Sequence, residues 1–230
     1  MRGITKNKPA SGTLRVLGAL LGYPDAAMRD HLPEMREILR RESVCDPARQ
    51  QELVALIDRL LESASLEAEA TYVQLFDRGR ATSLHLFEHV HGDSRDRGPA
   101  MIDLAQTYEK AGLYLSPGEM PDYLPVVLEF ASTQPPREAR AFLGEMSHIL
   151  SALFTALQQR GSAYASVLGA LLELAGEKAQ PVKIAAEQPL DDSWAEPPAF
   201  GGCSIKGQAR PGEAQPIHFV RNNATTGAAL

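Results

Sequence analysis

Residues 135–160 read PPREARAFLGEMSHILSALFTALQQR. Ala139, Phe142, Leu143, Met146, Ile149, Leu150, Leu153, Phe154 and Leu157 recur three and four positions apart, which lines one face of an α-helix. The stripe suits one long helix or two short ones meeting near Gly144. Downstream, Val167, Leu168, Leu171, Leu172 and Ala175 predict a last helix, stopped by Gly176. Upstream, Leu53, Leu56, Ile57, Leu60 and Leu61 form a stripe behind Asp46-Pro47, a side-chain cap followed by proline at the first helical position. Further helices are predicted over about Leu66–Asp77 (stopped by Gly79), Thr82–His91 (ending at Gly92), and between Gly98 and Gly112 with Met101, Leu104, Ala105 and Tyr108. A short one opens at Pro121 and holds Leu124, Val127 and Leu128. No stretch alternates apolar and polar residues with β-branched enrichment for more than a few positions. The fold class is therefore all-α, a single bundle of about seven to eight helices.

The boundaries follow from composition. Residues 13–180 carry the helical pattern, and 1–12 read as a flexible N-terminus. Residues 181–230 hold six of the sixteen prolines, five of the eighteen glycines and only nine Ile, Leu, Val or Phe. That is too little apolar surface to offset ordering entropy, so a disordered tail is expected. The net charge of −6 supplies no basic footprint for nucleic acid. The longest apolar run, Val16–Tyr23, is too short to span a bilayer, and no signal peptide is legible, so a cytoplasmic protein is expected. Cys45 and Cys203 suggest neither a disulfide framework nor a zinc site. Phosphate-loop, dinucleotide and nucleophile-elbow motifs are absent from the sequence.

Three clusters remain. In His85-Leu-Phe-Glu-His89-Val-His91-Gly-Asp93-Ser-Arg95-Asp96-Arg97-Gly98, His85 and His89 would share a face on a helix and could hold a metal, with His91 or Asp93 as third ligand. The competing reading is a structural or recognition turn: histidines at a helix C-terminus, Gly92 as left-handed cap, and Asp93 or Ser94 capping the next helix. In Gly118–Glu129, Glu119 and Asp122 suit the positive end of a helix, while the place of Tyr123 has no such account. In Tyr72–Asp77, Tyr72 and Phe76 read as core, or as the lining of a groove for an apolar peptide face.

These runs carry a resemblance. Tyr72-Val-Gln-Leu-Phe-Asp77, Leu86 to Gly98, Pro121-Asp-Tyr-Leu-Pro125 with Leu128-Glu129, and Leu17-Gly-Ala-Leu-Leu-Gly-Tyr-Pro24 resemble the NarJ-type chaperones. These are the assembly chaperones of respiratory nitrate reductase, within the TorD-like group of redox-enzyme maturation proteins. Tyr123 stands where histidine is more usual in the wider group. The resemblance covers about residues 13–176 and implies a cytoplasmic, non-enzymatic chaperone. Its partner would be the N-terminal segment of the catalytic (alpha) subunit of nitrate reductase, taken as an amphipathic helix, with cofactor-delivery proteins as further partners. It would bind no cofactor stably and would assist molybdenum cofactor and iron–sulfur insertion before membrane anchoring. Candidate groove residues are Tyr72, Phe76, Phe87, Tyr123 and Leu124. Asp77, Glu88, His89, Asp93, Arg95, Asp96, Arg97, Glu119, Asp122 and Glu129 are the candidate polar rim or the ties that shape it. The rival readings are a chaperone for a related molybdoenzyme, a helical regulatory or scaffold module with an unrelated partner, and a metal-dependent enzyme built on His85, His89 and His91.

Overall fold

The computed structural model describes residues 10–92 and 94–182, which all fall within one compact unit. The expectations for residues 1–9 and 183–230, and for Asp93 and Cys203, lie outside the described residues. Among those described there are eleven α-helices and one 3-10 turn, and no strand. The all-α reading holds, but with more and shorter helices than the seven or eight expected.

Helices α1 (Ser11–Leu20) and α8 (Leu124–Thr133) pack along each other. A Cβ on Gly18 would stand 3.4 Å from both the Pro125 carbonyl oxygen and the Leu128 Cβ, so a side chain much larger than alanine would force the two helices apart. The N-terminus of α1 is closed from a distance. Glu42, the last residue of α3 (Leu32–Glu42), accepts from the Gly12 N–H (3.0 Å), the Thr13 N–H (2.7 Å) and the Thr13 hydroxyl (2.7 Å). An anion on unpaired helix N–H groups is stabilising. Glu42→Gln keeps an acceptor but loses the charge, and we expect a loss of about 1 kcal/mol, read as a lower denaturation midpoint with an unchanged slope.

Helix α4 (Pro47–Glu62) starts as predicted, with the Ala48 N–H donating to the Asp46 carboxylate at 3.0 Å. Leu53, Leu56, Ile57 and Leu60 are buried, whereas Leu61 is an exposed member of the expected stripe. Helix α5 (Ser65–Phe76) ends before Gly79, whose φ of 175° is extended, so that glycine is not the left-handed stop expected. The 26-residue apolar pattern divides at Met146 into α9 (Pro136–Glu145) and α10 (Ser147–Gln159), close to the Gly144 break allowed by the sequence. Helix α11 (Ala165–Ala175) is buried on nearly all sides, packs against α1, α4, α9 and α10, and ends at Gly176 with φ 91°. Cys45 is half-buried, and burial, with Glu173 adding, pushes its thiol up to about 12.

Two expected elements are corrected. The predicted helix over Thr82–His91 is instead a 3-10 turn (Arg80–Thr82), an extended stretch, and the five-residue α6 (Leu86–Val90). The helix expected to open at Pro121 starts three residues later, at Leu124, with Pro125 in its first turn. Both have one cause. His85 and Tyr123 form an antiparallel bridge, in which the Leu86 N–H donates to the Asp122 carbonyl (3.0 Å) and the Leu124 N–H to the Leu84 carbonyl (2.9 Å). A contact between segments so far apart in the chain is invisible to local periodicity. Helix α2 (Ala26–Asp30) and α7 (Arg97–Lys110) complete the set.

Candidate functional site

The bridge has a carboxylate at its centre. Asp122 is fully buried, and its Oδ2 accepts from the Phe87 N–H at 3.1 Å while its backbone oxygen takes the Leu86 N–H. One residue thus satisfies the first two donors of α6, which lacks a side-chain cap of its own. His85 Nδ1 lies 3.4 Å from Oδ1, and the Arg97 guanidinium 3.9 Å from Oδ2 and 3.6 Å from Glu88. The neighbouring Pro121 carbonyl accepts from the buried Tyr108 hydroxyl at 2.8 Å, pinning α7 to the same loop.

The hydrogen bond to Asp122 raises the His85 pKa; burial opposes it, the Asp122 and Glu88 charges add to it, and the Arg97 charge subtracts. A raised folded pKa contributes stability that is complete below the unfolded pKa of about 6.5 and is lost as pH climbs through the folded value. We therefore expect the melting temperature to fall between pH 6 and pH 8 by more in the parent chain than in His85→Asn. Equal falls in both would show that His85 does not couple to folding.

Behind this knot stands a column of aromatic rings. The Tyr72 hydroxyl donates to the Leu21 carbonyl at 2.8 Å and lies 3.2 Å from the Tyr123 hydroxyl. Its ring packs against Tyr23, Phe76 and Tyr164 at centroid distances of 5.6, 4.8 and 6.4 Å. Burial raises the pKa of Tyr72 well above the usual phenol range and lifts that of Tyr164 to about 12, so both stay neutral. Tyr123 passes this rigidity outward, its own ring lying tilted against His85 at 5.2 Å.

In front of Tyr123 and His85 opens a cleft of about 770 Å³. One wall is the α1 side, with Arg15, Gly18, Ala19 and Gly22 at helical spacing. The other is the start of α8, with Tyr123, Pro125, Val126 and Glu129. Gly118, Glu119 and Met120 close one end from the preceding loop. Gly18, Ala19 and Gly22 make the α1 wall small, Met120, Pro125, Val126 and Tyr123 add apolar surface, and Arg15, Glu119 and Glu129 bring charge, with His85 beside them.

Of the residues singled out in the sequence, Tyr123, Glu119 and Glu129 meet in this cleft. Asp122 lies beneath it as a tie. Tyr72, Phe76 and Leu124 are 4%, 6% and 0% exposed and belong to the core, leaving no apolar face for a docked peptide. Phe87 is half-buried with its ring against His91 (5.4 Å). Glu88 pairs with Arg97. Arg95 and Asp77 are exposed, and Asp96 accepts from Ser94 at 3.1 Å, so Ser94 is not the cap of α7. Gly92, with φ 53°, is the left-handed turn that was expected.

The shared His85–His89 face does not exist. His85 is extended, outside α6, and His89 Nε2 donates to the Ser83 carbonyl at 2.8 Å. Among the described residues no three His, Cys, Asp or Glu are placed to hold a metal. Missed in the sequence were Arg15, Gly18, Ala19, Gly22, His85 as a cleft residue, Met120, Pro125 and Val126. The signal for the α1 wall was present: small residues at 18, 19 and 22, with 18 and 19 three and four positions beyond Arg15 and 22 a further turn on.

The family model described as nitrate reductase delta subunit matches residues 26–169. The chain belongs to the nitrate reductase delta subunit family. Within it, the chain is similar to the nitrate reductase molybdenum cofactor assembly chaperone NarJ of Escherichia coli (strain K12), at 43% identity over 183 residues, 78% of either chain. NarW of the same organism, named for the same assembly role, is 37% identical over 222 residues, 92% of this chain and 85% of its own. These delta-subunit relatives are named as assembly chaperones, not as catalysts. A crystal structure of a redox enzyme maturation protein from Archaeoglobus fulgidus shares the fold at a TM-score of 0.51 and 18% identity, over 77% of this chain and 97% of that one. No described helix is long and apolar enough to cross a membrane.

Proposed function

We propose that this chain is a cytoplasmic chaperone for the catalytic subunit of respiratory nitrate reductase, and that the α1–α8 cleft takes that subunit's N-terminal segment as an amphipathic helix. In doing so it holds the apo subunit open for molybdenum cofactor and iron–sulfur insertion, and delays membrane anchoring until both are in place. The observation that carries this reading is the shape of the cleft. From Arg15 to Gly22 its α1 side spans about 10 Å, the length of two helical turns, and its lining combines small and apolar residues with the charged Arg15, Glu119 and Glu129. That is what an amphipathic helix anchored at i, i+3, i+4 and i+7 requires. Folding a flexible segment on binding consumes part of the interaction energy, which keeps affinity moderate and release possible. Proteins that deliver the cofactor would be met while the client is held.

The test is calorimetric titration of the full chain with a peptide of about 15 residues, roughly four turns, from the N-terminus of the nitrate reductase catalytic subunit of the same genome. Saturable binding to that peptide and not to its scrambled version is expected. Preference for the corresponding peptide of another molybdoenzyme would reassign the client, and no binding to either would reject the peptide reading.

A further inference from the structure

The two walls of the cleft carry opposite charges at the same end, and these charges do not meet. Arg15 on α1 uses its Nε to donate to the Ser132 hydroxyl at 3.2 Å. Ser132, buried on α8, in turn donates to the Glu129 backbone carbonyl at 2.6 Å. The guanidinium is thereby anchored one residue-triplet beyond Glu129 along α8, although both side chains line the cleft. Neither the two terminal nitrogens of Arg15 nor the Glu129 carboxylate has a charged partner among the described residues. An anchored guanidinium with its outer edge free is preorganised for a carboxylate, and an exposed carboxylate beside it suits an ammonium or guanidinium.

We infer that Arg15 and Glu129 are specificity residues: they select an occupant helix that carries an acidic and a basic side chain three or four positions apart, the acid over Arg15 and the base over Glu129. The inference rests on the peptide-binding reading above. Residues three or four apart share a helix face, so one turn of the client can answer both charges while the next turns pack on the small and apolar lining. An uncharged helix of the same shape would leave both groups solvated, so it would bind more weakly without being excluded.

The test uses the full chain, the catalytic-subunit peptide above, and peptide variants in which each acidic or basic residue in turn becomes Gln. Arg15→Gln and Glu129→Gln are each expected to weaken binding about threefold to tenfold at low salt, less in high salt. Arg15→Gln should become indifferent to one particular peptide carboxylate, and Glu129→Gln to one basic residue. The double exchange Arg15→Glu with Glu129→Arg should prefer a peptide with those two charges swapped. Both positions are exposed, so unchanged melting curves will show that the fold is intact, and Arg15→Lys keeps the charge without the fork. Wild-type binding with no coupling between these residues and any peptide charge would overturn the inference alone. Absence of wild-type binding would overturn the peptide reading and this inference with it.

Discussion

Asp122→Ala is expected to lower the melting temperature by about 10 °C and to abolish the proposed peptide binding with it. The side chain is fully buried and answers the Phe87 N–H, His85 and, at longer range, Arg97. Truncation leaves the Phe87 N–H without its partner and removes the carboxylate that faces His85 and Arg97, at a cost of about 3 kcal/mol. The damage is not local. Helix α6 loses the acceptor for its second N–H, the bridge between His85 and Tyr123 loses its filling, and the cleft wall built on Tyr123 loses its support. Asp122→Asn retains an acceptor for Phe87 and should cost about half as much. Thermal melts of the three proteins at pH 7 check this. A melting point for Asp122→Ala within two or three degrees of the parent, about 1 kcal/mol or less, would mean that solvent or rearrangement replaces the carboxylate.

Val126→Asp is expected to make the opposite separation, with binding lost and folding kept. Val126 is half-buried on the cleft side of α8, at its third residue. A carboxylate there lies in the first turn, where it complements the helix dipole, so the melting temperature should move by no more than a few degrees, about 1 kcal/mol. In the cleft it would place a charge against the apolar face of the docked helix without a partner. Removing such an anchor costs about 2 kcal/mol or more, a thirtyfold or greater loss of affinity. Titration of Val126→Asp beside the parent reads it directly. Affinity within threefold of the parent would place the binding surface elsewhere on the molecule.

The fold was legible where apolar residues repeat in a polar background. Helix α4 has its stripe and its Asp46 cap, and α11 has its continuous leucines. Helix α3 was harder to see, because six of its eleven residues are charged and only Leu32, Met35 and Leu39 are buried. The break at Met146 was allowed but not located, since the stripe runs through it unbroken. The site was legible only as fragments. The sequence marks Glu119, Asp122, Tyr123 and Glu129 within one cluster, and Leu17–Pro24 as a stretch that resembles the family. That these two segments face each other depends on Gly18 letting α1 approach Pro125, a tertiary fact with no local signature. The helix expected over Thr82–His91 fails for the same reason, and with it the metal alternative for His85 and His89: an i, i+4 pair presupposes a helix, and the bridge to Tyr123 pulls His85 out of it.

The most direct test of the α1–α8 cleft as the client site is hydrogen–deuterium exchange on the full chain, with and without the catalytic-subunit peptide at saturation. Exchange should slow over residues 15–22 and 118–129, with α3 and α4 unchanged. Protection that spares both cleft walls and appears instead on another face, such as the exposed Ile102 side of α7, would contradict the account.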